Sequence, residues 1–262
     1  MIRSRVNLLV LVTWLALFGT ARSAWAAAEV HRLNVVISGI PTLLDAKDFN
    51  ERIDDFNRFN LEPFGFEGLT KIHFAWLFDS QLRYFVRQNV VVEAGVGQLR
   101  SQTKREFLPA LNADIQLRSE ILSVPAHIGG AYYLQPYNQG DFRAQVYLGG
   151  GFISSVYNRV RIQTVVATPD TVFSGQVTGK GDSPGYYLES GLHMFFAARF
   201  SVLVSAYYRS AVIRDMRGVF SNGAQEFQVG RLADRPRNFP LGGLKQLDAG
   251  GIGARMAVGI GL

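Results

Sequence analysis

Two pairs of opposite charges can be set against each other by arithmetic on the sequence. Arg83 and Glu93 lie equally far from Gln88, and Glu189 and Arg209 lie equally far from Arg199. In antiparallel hairpins turning at those centres, each pair sits directly opposite across two strands. Asp79, Arg143 and Arg255 fall on the same strand faces. A buried charge is costly unless paired, so the first expectation is a set of salt bridges filling an interior. The sharper one is a gate of exchangeable pairs, or a polar path for protons or ions.

Other chemistry finds less support. A hydrolytic site needs a nucleophile, a base within hydrogen-bond reach and an orienting group. The four histidines are His31, His73, His127 and His193, and none has a serine two residues away on its strand face. His193 shares a face with Glu189, but four positions of strand separate them by roughly 13 Å. No His/Asp/Glu grouping has metal-ligand spacing, and cysteine is absent. No enzyme, metal or cofactor is expected.

The elements that must position these charges are strands. From Gly251 to Leu262 the chain alternates without a break, with Ile252, Ala254, Met256, Val258, Ile260 and Leu262 on one face. Glycines, Arg255 and Ala257 take the other. A period of two is the strand period. Ile72–Val86 alternates in the same way, with Phe74, Trp76, Phe78, Leu82 and Tyr84 on the apolar face. So do the stretches from Val90, from Tyr186 to Phe196 and from Phe200. A longer stretch sets Phe142, Val146, Phe152, Val156, Val160 and Ile162 against Arg143, Gln145, Arg159, Arg161 and Gln163. Leu33–Ile40 and a less regular Leu117–Leu134, where Pro125 suggests a bulge, bring the count to eight. Connections of roughly 30, three, a dozen, eight, 20, three and 30 residues alternate long with short, as in an even-stranded outer-membrane barrel.

The front of the chain points to export. Arg3 and Arg5 precede an apolar run ending at Phe18, and Ala24-Trp25-Ala26 offers a small-x-small cleavage site. Residues 1–26 therefore read as a signal peptide and 30–262 as one barrel domain. Removing the first segment takes Arg3, Arg5 and Arg22 and no acid, lowering the formal net charge from +6 to +3. Nucleic acid is not an expected partner on that charge. The apolar run is about a dozen residues where a spanning helix needs about 20, so any membrane crossing falls to the strands.

Alternation leaves open which face is outside, since a lipocalin-like barrel turns its apolar face inward. Three observations favour the inverted arrangement. One face collects the charges, the same face collects the glycines, and aromatics gather near the short turns at Tyr84, Phe85, Tyr132, Tyr133, Phe142, Phe196 and Phe200.

On signal peptide, strand count, loop asymmetry and terminal strand, the chain resembles the small eight-stranded outer-membrane β-barrel proteins of Gram-negative bacteria, the porin-like and opacity-type group. The resemblance covers about Leu33 to Leu262. It implies an all-β antiparallel transmembrane barrel with short periplasmic turns and long external loops. It also implies an outer-membrane location, contact with membrane lipid and lipopolysaccharide, and the barrel-assembly machinery as a partner in biogenesis. The assembly signal falls on the terminal strand at Met256, Val258, Ile260 and Leu262, where family members usually end in an aromatic residue.

Two loops add detail. Asp45 and Asp48 precede Phe49, Ile53 and Phe56 at helical spacing, predicting a short amphipathic helix with an N-terminal cap. Arg217, Arg231, Arg235, Arg237 and Lys245 make the last long loop basic, suited to phosphates at a lipopolysaccharide surface. The expectation is an integral outer-membrane protein with a structural or surface-interaction role and a lumen closed by paired charges. A narrow channel, or a route for small apolar molecules, is the alternative; an outer-membrane lipid hydrolase is the second.

Overall fold

The computed structural model describes residues 31–107, 114–134, 136–139, 142–168, 172–196, 199–222 and 225–262. The expected signal peptide lies outside these. The elements are β1 (Leu33–Leu44), α1 (Lys47–Phe56), β2 (Phe74–Arg87), β3 (Val90–Phe107), β4 (Asp114–Tyr133), β5 (Tyr137–Gln139), β6 (Phe142–Ala167), β7 (Val172–Phe196), β8 (Phe200–Ser221), β9 (Glu226–Arg231), β10 (Gln246–Asp248) and β11 (Gly251–Gly261).

Eight of the strands close a ring in the order β1-β2-β3-β4-β6-β7-β8-β11, every neighbour antiparallel, with β11 returning to β1. Closure matters because an open sheet presents a row of unpaired N–H and C=O groups. The last strand is what seals it. Val258 pairs with Ile37 on one side and Val202 on the other.

In the half of the barrel nearer the short turns, the apolar face points out. Met256, Val258, Ile260 and Leu262 are 58, 57, 48 and 66% exposed, while Arg255 just before them and Ala257 among them are buried. Exposed aromatics mark both edges of this belt. Tyr84, Phe196 and Phe200 stand at the short-turn edge, and Trp76, Tyr186 and Tyr208 at the other. Tyr133 and Phe85, expected with the first set, point inward instead, because each sits one residue off the exposed parity. Eight to ten residues separate the edges along β2, β7 and β8. At about 3.3 Å per residue and a tilt near 40°, that is a band of about 20–25 Å, the height of a transmembrane barrel's apolar belt.

Beyond the belt, the barrel turns inside out. Tyr157 follows Val156 with both exposed, and the β4–β6 register shifts opposite this point, between Val124 and Pro125. After that bulge Val160 and Ile162 face inward and Arg159 and Arg161 outward, the reverse of the sequence expectation. One extra residue flips every later side chain to the other face. A second shift, between Lys180 and Asp182 in the β7–β8 pairing, lies beside Asp215, which has a positive φ of 50°. The strands thereby continue past the belt as a wall with apolar interior and polar exterior. Stretches expected as loops of about a dozen and 20 residues are largely strand, with β3 reaching Phe107, β4 beginning at Asp114, β6 reaching Ala167 and β7 beginning at Val172.

The first and last connections fold over the mouth. Phe49, Ile53 and Phe56 of α1 are buried in one cluster with Ile40, Leu77, Leu99, Ile213 and Leu247. The expected cap is absent: Ala46 holds the N-cap position with no side-chain hydrogen bond, and Asp48 lies in the first turn. The backbone there is fixed instead by the Asp45 N–H donating to the Gly250 carbonyl. Asn50 and Asn57 pin the helix to its return segment. Asn50 donates to the Ile72 carbonyl and accepts from the Ile72 N–H, both at 2.8 Å, and Asn57 does the same with Leu69.

Candidate functional site

The lumen of the belt half holds a continuous line of charge. Arg83 on β2 lies opposite Glu93 on β3 and forms an ion pair with it at 3.2 Å. The same guanidinium also pairs with Glu189 on β7. Glu189 reaches Arg255 on β11 at 2.5 Å, and Arg255 reaches Asp79 on β2 at 3.1 Å. The order Glu93–Arg83–Glu189–Arg255–Asp79 spans the barrel, and all five residues are buried.

Neutral groups take up donors the carboxylates leave. Arg83 donates to Gln81 Oε1 and to the Tyr133 hydroxyl, each at 3.0 Å. The Tyr187 hydroxyl donates to Glu93. Arg83 lies over the Tyr147 ring and Arg255 over the Tyr207 ring, at 5.0 and 4.9 Å from the centroids. Backbone access for these side chains comes from glycine. A Cβ on Gly129 would fall 2.3 Å from the Tyr187 hydroxyl, and one on Gly151 would meet the Ile128 carbonyl at 2.2 Å. The facing pair Gly129–Gly151 is therefore what lets Tyr187 lie against the wall.

The charged layer lies between two apolar ones. Phe85, Tyr133, Phe195 and Leu203 pack below it toward the short turns. The α1 cluster packs above. His193 shares a 2.8 Å hydrogen bond with Tyr133, and His127 Nδ1 stands 3.6 Å from Asp79. Among the described residues neither histidine shows a hydrogen bond to a serine, and no group of three His, Asp or Glu is placed to hold a metal.

Of the two pairs expected from the sequence, the structure assembles one as drawn. Glu189 lies opposite Tyr207, and Arg209 lies opposite Tyr187. Phe196 pairs with Phe200, so this hairpin turns one position before Arg199, and a one-position shift of centre moves the partner by two. Arg209 bonds the Ala249 carbonyl instead. Arg255, placed on the inward face but given no partner by the sequence, is the residue that joins Glu189 to Asp79.

Two further features lie toward the long-loop end. A cavity of about 440 Å³ opens between the helical turn Asn57–Leu61, which continues α1, and the β4–β6–β7 wall, lined by Phe56, Leu61, Phe66, Leu117, Ile162 and Val177 among others. On the outer wall, three arginines converge on one carboxylate. Arg100 (β3) and Arg159 (β6) each reach Glu120 (β4) at 3.2 Å, and Arg161 (β6) reaches it at 2.6 Å. Sequence reasoning missed this group because it placed Arg159 and Arg161 inside. In the last loop Arg231 pairs with Asp215 at 2.8 Å, and Arg217 belongs to β8.

No family model matches the chain, and no curated protein matches it. Among solved structures, Ail, the attachment invasion locus protein of Yersinia pestis, aligns at 12% identity with a TM-score of 0.32, over 88% of this chain and 98% of that one. The outer membrane protease OmpT of Escherichia coli aligns at 8% identity with a TM-score of 0.34, over 91% of this chain and 99% of that one.

Proposed function

We propose that this chain is an integral outer-membrane protein, its short turns in the periplasm and its long-loop end outside, with a closed lumen and a structural or surface-interaction role. The observation that carries this is the buried line from Glu93 to Asp79, which crosses the barrel between two apolar layers inside an apolar belt. Eight strands leave an interior that side chains largely fill, and a row of shared, buried ion pairs supports a closed lumen. The reading is non-enzymatic. What supports that reading is that His193 shares its hydrogen bond with Tyr133 and His127 stands beside Asp79, neither of them a serine nucleophile.

Conductance of the reconstituted chain in a planar lipid bilayer tests the proposal. A plugged barrel gives no steady current at any voltage. A steady current, lost on Arg83→Met, overturns the plug and establishes the gate. The cavity favours a second reading, capture of a small apolar molecule at the outer face without passage. Leu117→Trp fills that cavity and is expected to abolish the fluorescence gain of an apolar naphthylamine probe; an unchanged signal excludes the site.

A further inference from the structure

The Glu120 cluster is built unlike an ordinary surface salt bridge. Its carboxylate side chain is 2% exposed, while Arg161, Arg159 and Arg100 are 18, 27 and 55% exposed. The anion is the floor and the three guanidiniums are the rim. One carboxylate against three arginines leaves a formal charge of +2. Arg159 Nε and Arg161 Nε are buried, so only the outer nitrogens of the rim can meet a ligand. The other contacts of the rim are to neutral amides, Arg100 to Gln102 at 3.1 Å and Arg161 to Gln176 at 3.4 Å, and leave its charge uncompensated.

Register fixes the height. Arg100 lies opposite Trp76, the aromatic at the upper edge of the belt, and across β4 Leu122 joins Arg100 to Arg159. Val96, Ile128 and Phe152 stand exposed below on the same strands. The cluster therefore sits one rung above the apolar belt, facing out from the barrel, where lipid headgroups begin.

We infer that Arg100, Arg159 and Arg161, positioned by Glu120, bind a phosphate of a phosphorylated outer-leaflet glycolipid whose acyl chains lie on the apolar wall below. A phosphomonoester carries about −1.5 to −2 charges near neutral pH, which matches the uncompensated +2, and guanidinium forks suit its oxygens. Three strands contribute to the clasp, so its geometry depends on the bulge that turns Arg159 and Arg161 outward. The inference rests on the outer-membrane reading above.

The test uses the mature chain folded in detergent, with native mass spectrometry counting retained lipid. The probes are bisphosphorylated lipid A, the same glycolipid stripped of phosphate, and phosphatidylglycerol. One bisphosphorylated lipid A is expected to be retained, falling about tenfold or more for the stripped form and for Arg159→Gln with Arg161→Gln. Arg58→Gln, an exposed arginine on the first loop, is expected to match the wild type. Equal retention of the stripped form, of phosphatidylglycerol or by the double variant overturns the inference. A heat-modifiable barrel that ignores phosphate defeats this inference alone. A chain that yields no heat-modifiable form and stays in the soluble extract defeats the membrane reading with it.

Discussion

Arg83 holds two carboxylates at once, Glu93 and Glu189, and neither has water to turn to. Removing one partner of a buried ion pair costs about 3–5 kcal/mol, because the other charge remains. Arg83→Met is therefore expected to lower the midpoint of the heat-induced gel shift sharply, and adding Glu93→Gln to restore part of the loss. A single variant with the wild-type midpoint would show that the network contributes nothing. Asp248 behaves differently, outside the spanning strands. Burial raises its pKa, Asp45 and Asp48 add to this, and the Gly250 N–H at 2.7 Å works against it. A carboxyl with a raised folded pKa binds its proton more tightly in the fold, so its contribution is full below the usual aspartate range and is lost as pH rises through the folded value. Asp248→Asn keeps the acceptor and is expected to raise the gel-shift midpoint at pH 8 but not at pH 3; equal effects at both would refute the sign. Side-chain faces in the belt were legible at this scale because parity survives small errors of register. Partners were not, since Glu189 finds Tyr207 opposite it on a one-position shift of centre.

At the scale of the element, α1 was readable from three positions, Phe49, Ile53 and Phe56, because a helix over a barrel mouth must bury one stripe. Its start was not, since Ala46 is held by the tertiary contact of Asp45 with Gly250 and not by a cap. The β6 bulge was hidden for a different reason. Apolar residues keep the even positions on both sides of Val156–Tyr157, with Phe152 and Val156 before and Val160 and Ile162 after, so the sequence period shows no break and only the face changes. A phase slip of one residue converts an outer wall into an inner one without altering composition. The helix is expected to depend on its packing more than on its own ten residues. Phe49→Ala removes a fully buried ring, at a cost of about 3–5 kcal/mol for such a change. The expected outcome is protease cleavage between Asp45 and His73 while the barrel core keeps its heat-modifiable mobility. Resistance equal to the wild type would mean the loop is held by Asn50 and Asn57 alone, and Asn50→Ala would then be the variant that opens it.

The whole molecule is two barrels in one sheet. One half is polar inside and apolar outside, the other apolar inside and polar outside, and the change occurs where β6 and β8 slip register. Hydrocarbon stabilises the first arrangement and water the second, so on the membrane reading proposed above the boundary between them marks where the membrane ends. A soluble lipocalin-like barrel would need the apolar face inward throughout, and the exposed row Ile252, Met256, Val258 and Ile260 excludes that for the belt. The division also fixes an orientation that can be measured, because the half that projects beyond the belt must lie on one side. The chain contains no cysteine, so a single introduced thiol reports its own surroundings. Glu226→Cys, on β9 at the long-loop end, is expected to react with an impermeant maleimide in intact cells. Gln88→Cys, in the β2–β3 turn, is expected to react only once the outer membrane is permeabilised. Val258→Cys, mid-belt on β11, is expected to react only after the barrel is unfolded, since hydrocarbon excludes the reagent and stabilises the neutral thiol. If the first two labels exchange, the barrel stands inverted and the Glu120 cluster faces the inner leaflet. Should Val258→Cys label readily in the folded protein, the belt is wet, and the inverted half would have to bury its apolar face against protein instead of lipid.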